Sequence, residues 1–243
     1  METHFIRNLD DLGKAAWKSY QHFYYPPIWW RGQPDTREDW KLLPGVYRKP
    51  YDEKSLIAKF VRQAKTRHPS CPPDEDNGAW LFLMQHYRLP TRLLDWTEAL
   101  LVAAYFALDS DLQYKTTSAR LWSLSPHIFN MCQLKDGTQS ILSLHDTKVK
   151  NTAMPLVEDG EIFAVAVPEI DIRMLVQQAA CTIHGNKTPI EELPDCDKFL
   201  MKYEIPAEAK EELRTTLSFL GVRESSLFPD LEHLAKEIST ESF

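Results

Sequence analysis

Glycine is scarce in this sequence, with eight glycines among 243 residues. The chain contains no GxGxxG, no GxxxxGK[ST] and no GxSxG, so the dinucleotide-binding Rossmann, P-loop and α/β-hydrolase interpretations lose their usual support. HExxH is also absent, which removes the zincin pattern. So few glycines disfavour a phosphate site built from bare backbone, and we expect any chemistry to come from side chains.

Cysteine pairs and long apolar runs are missing as well. The four cysteines (Cys71, Cys132, Cys181 and Cys196) form no CxxC motif, so we predict neither a zinc site nor a disulfide scaffold. Apolar runs such as "LLVAAYFAL" are too short to cross a bilayer, and the first residues show no secretion signal. The sequence therefore predicts a cytoplasmic protein with reduced thiols and no membrane partner.

The net charge of −7 argues against broad affinity for nucleic acid, which depends on clustered Lys and Arg. A local basic cleft on an acidic body remains open. The 43% hydrophobic content is enough for a sizeable core.

Helical patterns lie towards both ends of the chain, and strand patterns lie mostly between them. This arrangement predicts an α+β fold, with mixed central β-sheets flanked by helices, in one domain spanning residues 1–243. We predict helices at 5–21, 53–64, 77–87, 98–108, 206–220 and 229–238. We predict strands that end near residue 31 and at 91–96, 119–124, 161–167, 181–184 and 198–205.

The first chemically interesting stretch is "IWWRGQ", residues 28–33. A guanidinium is always charged and resists burial without a partner, so Arg31 at a strand end suits a phosphate or carboxylate. Gly32 beside it would allow a close backbone approach. The simpler alternative is a structural salt bridge from Arg31 to Asp35 or Glu38.

The second stretch is "QHYRLPTRLLDWT", residues 85–97, a polar segment between two apolar helices. Its polar groups must find partners or face a cavity. We expect Asp95 to be partly buried, with Arg92 or Arg31 as its counter-ion. A functional site and a purely structural ion pair fit this pattern equally well.

The third stretch, residues 171–185, contains Arg173, Gln177 and Gln178 before a short strand that ends in His184. Gln177 can bind or orient a ligand, but it cannot act as a general base because it does not titrate. A lone histidine such as His184 is more often a structural residue than a ligand or a base.

These stretches resemble the FRG-domain family, named after its (Phe/Tyr)-Arg-Gly motif. The motif reads Trp30-Arg31-Gly32 here, and "LLPGVYRK" is similar to the family's LxPxxxR element. "QHYRLPTRLLDWTEALLVAAYFA" resembles the family's most distinctive segment, although Arg88 replaces its usual glycine. "RMLVQQAACT" and "LFPDL" resemble two later family elements, so the resemblance extends over nearly the whole chain.

The resemblance implies a layout similar to that of mono-ADP-ribosyltransferases, with NAD as the substrate. On this interpretation Arg31, Asp95 and Gln177 are the catalytic candidates. Arg31 would hold the NAD diphosphate, and Asp95 would supply the carboxylate, because Gln177 is neutral where a glutamate is expected. Glu161 is the alternative carboxylate. The remaining candidates for contacting NAD are Gly32, Gln33, His86, Arg92, Trp96 and Thr97.

The family context implies a toxin-like effector of a bacterial or phage toxin–antitoxin or antiphage defence system. Its acceptor would be a protein or a nucleic acid, and an antitoxin or defence protein would be its partner. Two alternatives stay open. The same pocket could bind a nucleotide without turnover, as a sensor, or the domain could be a protein-interaction module with a polar core.

Overall fold

The computed structural model describes residues 2–37, 39–108, 116–153, 160–168 and 172–241. Its centre is one mixed sheet of seven strands in the order β1-β7-β4-β2-β3-β6-β5. Only the β1–β7 pair is parallel. The strands are β1 (Thr3–Phe5), β2 (Trp29–Gln33), β3 (Leu93–Thr97), β4 (Ala119–Leu124), β5 (Ile162–Val165), β6 (Ala179–His184) and β7 (Leu200–Ile205).

Helices surround this sheet, so the predicted α+β class is confirmed. The helices are α1 (Leu9–Phe23), α2 (Glu53–Ala64), α3 (Asn77–His86), α4 (Leu100–Ala107), α5 (Pro126–Gln133), α6 (Thr147–Ala153), α7 (Ile172–Val176), α8 (Lys210–Phe219), α9 (Glu224–Leu227) and α10 (Leu231–Glu241). Within the described ranges, none of these helices is long and apolar enough to cross a bilayer.

Local chemistry fixes several helix boundaries. The side chain of Asn8 accepts a hydrogen bond from the Asp11 N–H at 2.9 Å, so α1 begins at Leu9 and not at the predicted residue 5. Residues 3–5 form β1 instead, because they pair with β7. Asp76 caps α3 in the same way, through the Ala79 N–H at 3.0 Å.

The start of α4 also differs from the prediction. Thr97 still belongs to β3, and its hydroxyl accepts a hydrogen bond from the Ala99 N–H at 3.0 Å. The helix therefore begins at Leu100, two residues later than predicted.

The two adjacent tryptophans of β2 pack into different hydrophobic clusters. Trp30 packs with residues from α1, α4 and α8, whereas Trp29 packs with Trp96, Trp122 and Phe129. Successive side chains of a strand point to opposite faces of the sheet, so each face receives one indole. A third cluster lies between the β3–β6–β5 half of the sheet and α2, α3 and α6.

Candidate functional site

A gap in the sheet defines the site. β2 pairs with β4 along all of its residues, but it pairs with β3 only at Trp30 and Thr97. Past this single pair the two strands diverge, and a cavity of about 590 Å³ opens between them. Its polar lining consists of Arg31, Arg48, Gln85, His86, Arg88, Thr91, Asp95, Thr97, Arg173, Gln177 and Cys181.

Arg31 lies at this gap with its side chain partly buried. Its Nη1 donates a hydrogen bond across the gap to the main-chain carbonyl of Asp95, a group that no β-ladder bond to β2 reaches. Its Nε is buried and has no partner among the described residues. Desolvation lowers the pKa of Arg31 to about 10, which leaves the guanidinium charged at neutral pH.

The predicted structural salt bridge of Arg31 is not the arrangement found. Asp35 instead binds the Nε of Arg37 at 2.6 Å, and Glu38 lies outside the described residues. The guanidinium of Arg31 is therefore hydrogen-bonded to a neutral carbonyl, and the nearby Asp95 carboxylate acts against the lowering of its pKa.

Asp95 faces the cavity from β3, and its side chain is exposed, not partly buried as predicted. Both carboxylate oxygens accept hydrogen bonds from the Gln85 amide, at 2.8 and 2.9 Å. The oxygen of that amide accepts a hydrogen bond from the Thr91 hydroxyl. The Cys181 thiol lies 3.7 Å from the carboxylate, and burial raises the pKa of this thiol well above its usual range. Asp95 is thus a fixed acceptor and not a freely rotating one.

Thr97 and Gln177 both line the cavity and contact each other. The Thr97 hydroxyl donates to the main-chain carbonyl of Gln177 at 2.6 Å, and the Gln177 amide donates to the Leu227 carbonyl at 2.9 Å. His86 also lines the cavity, with its ring edge-on to Tyr87. Trp96 lines it too, but its ring is 3% exposed and its indole N–H donates to Thr182.

Gly32 lies where α4 crosses β2. A methyl group at this position would overlap the carbonyl oxygen of Ala103, so the absence of a side chain lets the helix pack directly on the strand. We expected Gly32 to let a ligand approach the backbone closely. In the structure it is the backbone of α4 that makes this close approach.

Three of the sequence-predicted residues do not line the cavity. Gln33 is 1% exposed and bridges the Trp122 indole and the Trp40 carbonyl. Arg92 is 3% exposed, and its guanidinium binds the carboxylate of Glu53 through Nε at 2.9 Å and through Nη2 at 2.5 Å. Glu161 binds the Lys135 N–H and Lys148 away from the cavity.

Part of the chain is similar to a known protein family. Residues 26–116 match the sequence profile of the FRG domain. The chain contains an FRG domain. No curated protein and no solved structure gives a significant match.

The matched part of the FRG domain carries β2, α3, β3 and α4, and with them Arg31, Arg48, Gln85, Arg88 and Asp95. The other part of the lining lies outside the matched residues and consists of Val167, Arg173, Met174, Gln177, Ala179 and Cys181. The site is therefore assembled from segments far apart in the sequence.

Sequence reasoning did not single out Gln85 and Arg48 as site residues, although both occur in stretches it quoted. Gln85 is the first residue of the polar segment, and Arg48 ends the LxPxxxR-like element. Both residues could have been identified because they belong to these motifs. Their placement near Asp95, however, depends on how α3 and the 40–48 loop pack.

Arginine side chains are concentrated in the lining of the cavity. Four arginines line it (Arg31, Arg48, Arg88 and Arg173), and Asp95 is the only acidic residue among its described lining residues. With histidine neutral, these groups sum to a formal charge of +3 in a chain whose net charge is −7. The arrangement attracts anions to one concave region of an acidic protein.

Proposed function

We propose that the cavity binds NAD and that the FRG domain transfers ADP-ribose from it to an acceptor. The observation that supports this most is the presence of the Arg31 guanidinium, which forms no salt bridge with a described residue, and of the Asp95 carboxylate on the two sides of one gap. A guanidinium binds a diphosphate through two parallel hydrogen bonds, and a carboxylate stabilises positive charge on a ribose.

The roles follow from the positions of the groups. Arg31 would hold the diphosphate, with Arg48 near enough to lower the pKa of Arg31. As the bond between ribose C1′ and nicotinamide breaks, the nicotinamide nitrogen keeps the electron pair, and Asp95 stabilises the positive charge left on the ribose. A nucleophile of the acceptor then bonds to C1′ and gives up its proton to Asp95 or to water. Gln85 keeps the carboxylate in place for both steps.

The biological role proposed with this activity is that of a toxin-like effector in a toxin–antitoxin or antiphage defence system, neutralised by an antitoxin or another partner protein. The acceptor is a protein or a nucleic acid. The net charge of −7 favours a protein acceptor or a small target that enters the cleft.

The test is release of nicotinamide from NAD by the purified protein, with cell lysate as the source of acceptors. We expect Asp95→Asn, which keeps the size of the side chain, to lower the rate about 10²-fold or more, as loss of one preorganised electrostatic group commonly does. Arg62→Ala is the matched control, because Arg62 is exposed and does not line the cavity. Absence of nicotinamide release by the wild-type protein with every acceptor source would exclude the transferase activity.

A second candidate function is binding of a nucleotide without turnover, as in a sensor. The observation that favours it is Gln177, whose amide is neutral and is engaged by the Leu227 carbonyl. In that case NAD should raise the midpoint of thermal unfolding of both the wild type and Asp95→Asn, with no nicotinamide released, because a ligand that binds only the native state stabilises it.

A further inference from the structure

Arg88 has an unusual backbone conformation for an arginine. It follows the end of α3 with φ at 59°, and its N–H donates to the Gln85 carbonyl at 2.9 Å. This left-handed region is crowded for any residue with a Cβ, and glycine is its usual occupant. The described part of the chain contains three other non-glycine residues at positive φ (Tyr24, Gln178 and Asp195), and none of them lines the cavity.

The side chain of Arg88 is exposed and lines the cavity. The guanidinium has no hydrogen-bond or ion-pair partner among the described residues. Backbone strain of this kind persists where the surroundings fix it, and it clusters at ligand sites. A strained arginine with no partner, in the same cavity as Arg31 and Arg48, therefore points to a ligand.

The charge of the cavity indicates which class of ligand it would bind. The diphosphate of NAD is partly offset by its positive pyridinium, so the net charge of NAD is small beside the cationic lining formed by Arg31, Arg48 and Arg88. A phosphomonoester adds a charge of about −1.5 to −2 at neutral pH and three strong acceptor oxygens. Arginine is the residue that commonly accommodates the 2′-phosphate of NADP in dinucleotide sites.

We propose that Arg88 is a specificity-determining residue that binds a phosphomonoester, so that the cavity prefers a 2′-phosphorylated dinucleotide of the NADP type over NAD. The inference rests on the proposed function, since it names the substrate class of the same cavity. Arg31 holds the diphosphate, and Arg88 binds the additional phosphate.

The test is the dissociation constant of NAD and of NADP, measured by titration calorimetry on the full chain. The wild type should bind NADP about tenfold or more tightly than NAD, given the usual strength of a charge-assisted hydrogen bond. Arg88→Gly should bring the two constants within about threefold of each other, and Arg88→Lys should keep part of the preference.

Stability separates a binding role from a structural one. Arg88→Gly relieves the left-handed conformation, so its midpoint of thermal unfolding should be no lower than that of the wild type. Tyr24→Gly is the matched control, because Tyr24 has φ at 54°, is exposed and lies outside the cavity lining. It should relieve the same strain and leave both dissociation constants unchanged.

The possible failures are distinguishable. Binding of NAD and NADP with equal affinity, or a preference that Arg88→Gly leaves intact, overturns the inference while the proposed function stands. Binding of ATP more tightly than NADP overturns it too, because the site would then select a triphosphate chain. Failure to bind either dinucleotide overturns both the inference and the proposed function.

Discussion

The contact between α4 and β2 predicts opposite effects for one substitution at two glycines. A Cβ built on Gly32 would overlap the Ala103 carbonyl oxygen and would lie 2.5 Å from the Ala107 nitrogen. Both atoms belong to the backbone of α4, so no side chain can rotate away to make room. Gly13, in contrast, lies within α1, and a Cβ built on it meets nothing within 4 Å.

The expected magnitudes follow from these surroundings. Gly32→Ala forces the helix away from the strand, and extra methylenes in a well-packed core cost about 1–3 kcal/mol, occasionally more. We expect the upper end, about 3 kcal/mol, because α4 must move as a unit. Gly13→Ala should stabilise the protein by about 0.5–1 kcal/mol, because alanine loses less conformational freedom than glycine in a helix.

Equilibrium unfolding in urea measures both free energies. In thermal unfolding, about 1 kcal/mol corresponds to about 2–4 °C for a domain of this size. A Gly32→Ala variant as stable as the wild type would show that α4 does not lie directly on β2. A loss of stability in Gly13→Ala would contradict the open space seen around that residue.

Two further predictions concern buried ionisable groups. Desolvation, with Arg31 nearby, lowers the pKa of His184 from 6.5 to about 3, so the unfolded state binds the proton more readily. The free energy of unfolding should therefore be fully retained above pH 6.5 and should fall by about 2 kcal/mol by pH 5, a slope that His184→Gln removes in acid titrations followed by urea unfolding. Separately, Arg92→Ala should cost about 3–5 kcal/mol, because it leaves the carboxylate of Glu53 without its partner. The double variant Arg92→Met/Glu53→Leu should recover much of that loss in the same unfolding assay.

For each of these two predictions, one result would contradict the reasoning. An unchanged acid slope in His184→Gln would mean that other groups dominate the pH dependence. A double variant as unstable as Arg92→Ala would mean that the lost Thr152 carbonyl contact, and not the unpaired carboxylate, sets the cost.

Local pattern predicted much of the secondary structure. The helix from Glu53 to Ala64 and the strand from Ala119 to Leu124 have the predicted bounds. The pattern of apolar residues within each segment was enough to predict them. β1 was missed because a three-residue edge strand acquires its structure from pairing with β7, almost 200 positions later in the chain. α5 was missed despite Ser125 and Pro126, which form a helix-start signal at its first turn.

The sequence predicted less of the candidate site than of the secondary structure. Arg31 and Asp95 were recognisable as charged groups among apolar neighbours, and both line the cavity. The partner of Arg92 could not be found locally, since Glu53 lies on α2 and only the packing of that helix brings it within reach. The role of Gly32 depends on α4 in the same way, because nothing in "WRGQ" indicates which backbone will cross it.

The single Trp30–Thr97 pair has a mechanical consequence. It divides the sheet into a four-strand unit that carries Arg31 and a three-strand unit that carries Asp95, each held by its own complete ladders. The separation of these two charges therefore depends on that single ladder pair, on the Arg31 hydrogen bond to the Asp95 carbonyl and on side-chain packing, and not on a continuous ladder. Any molecule that binds both residues would add a connection between the two units of the sheet at the place where the ladder between them is shortest.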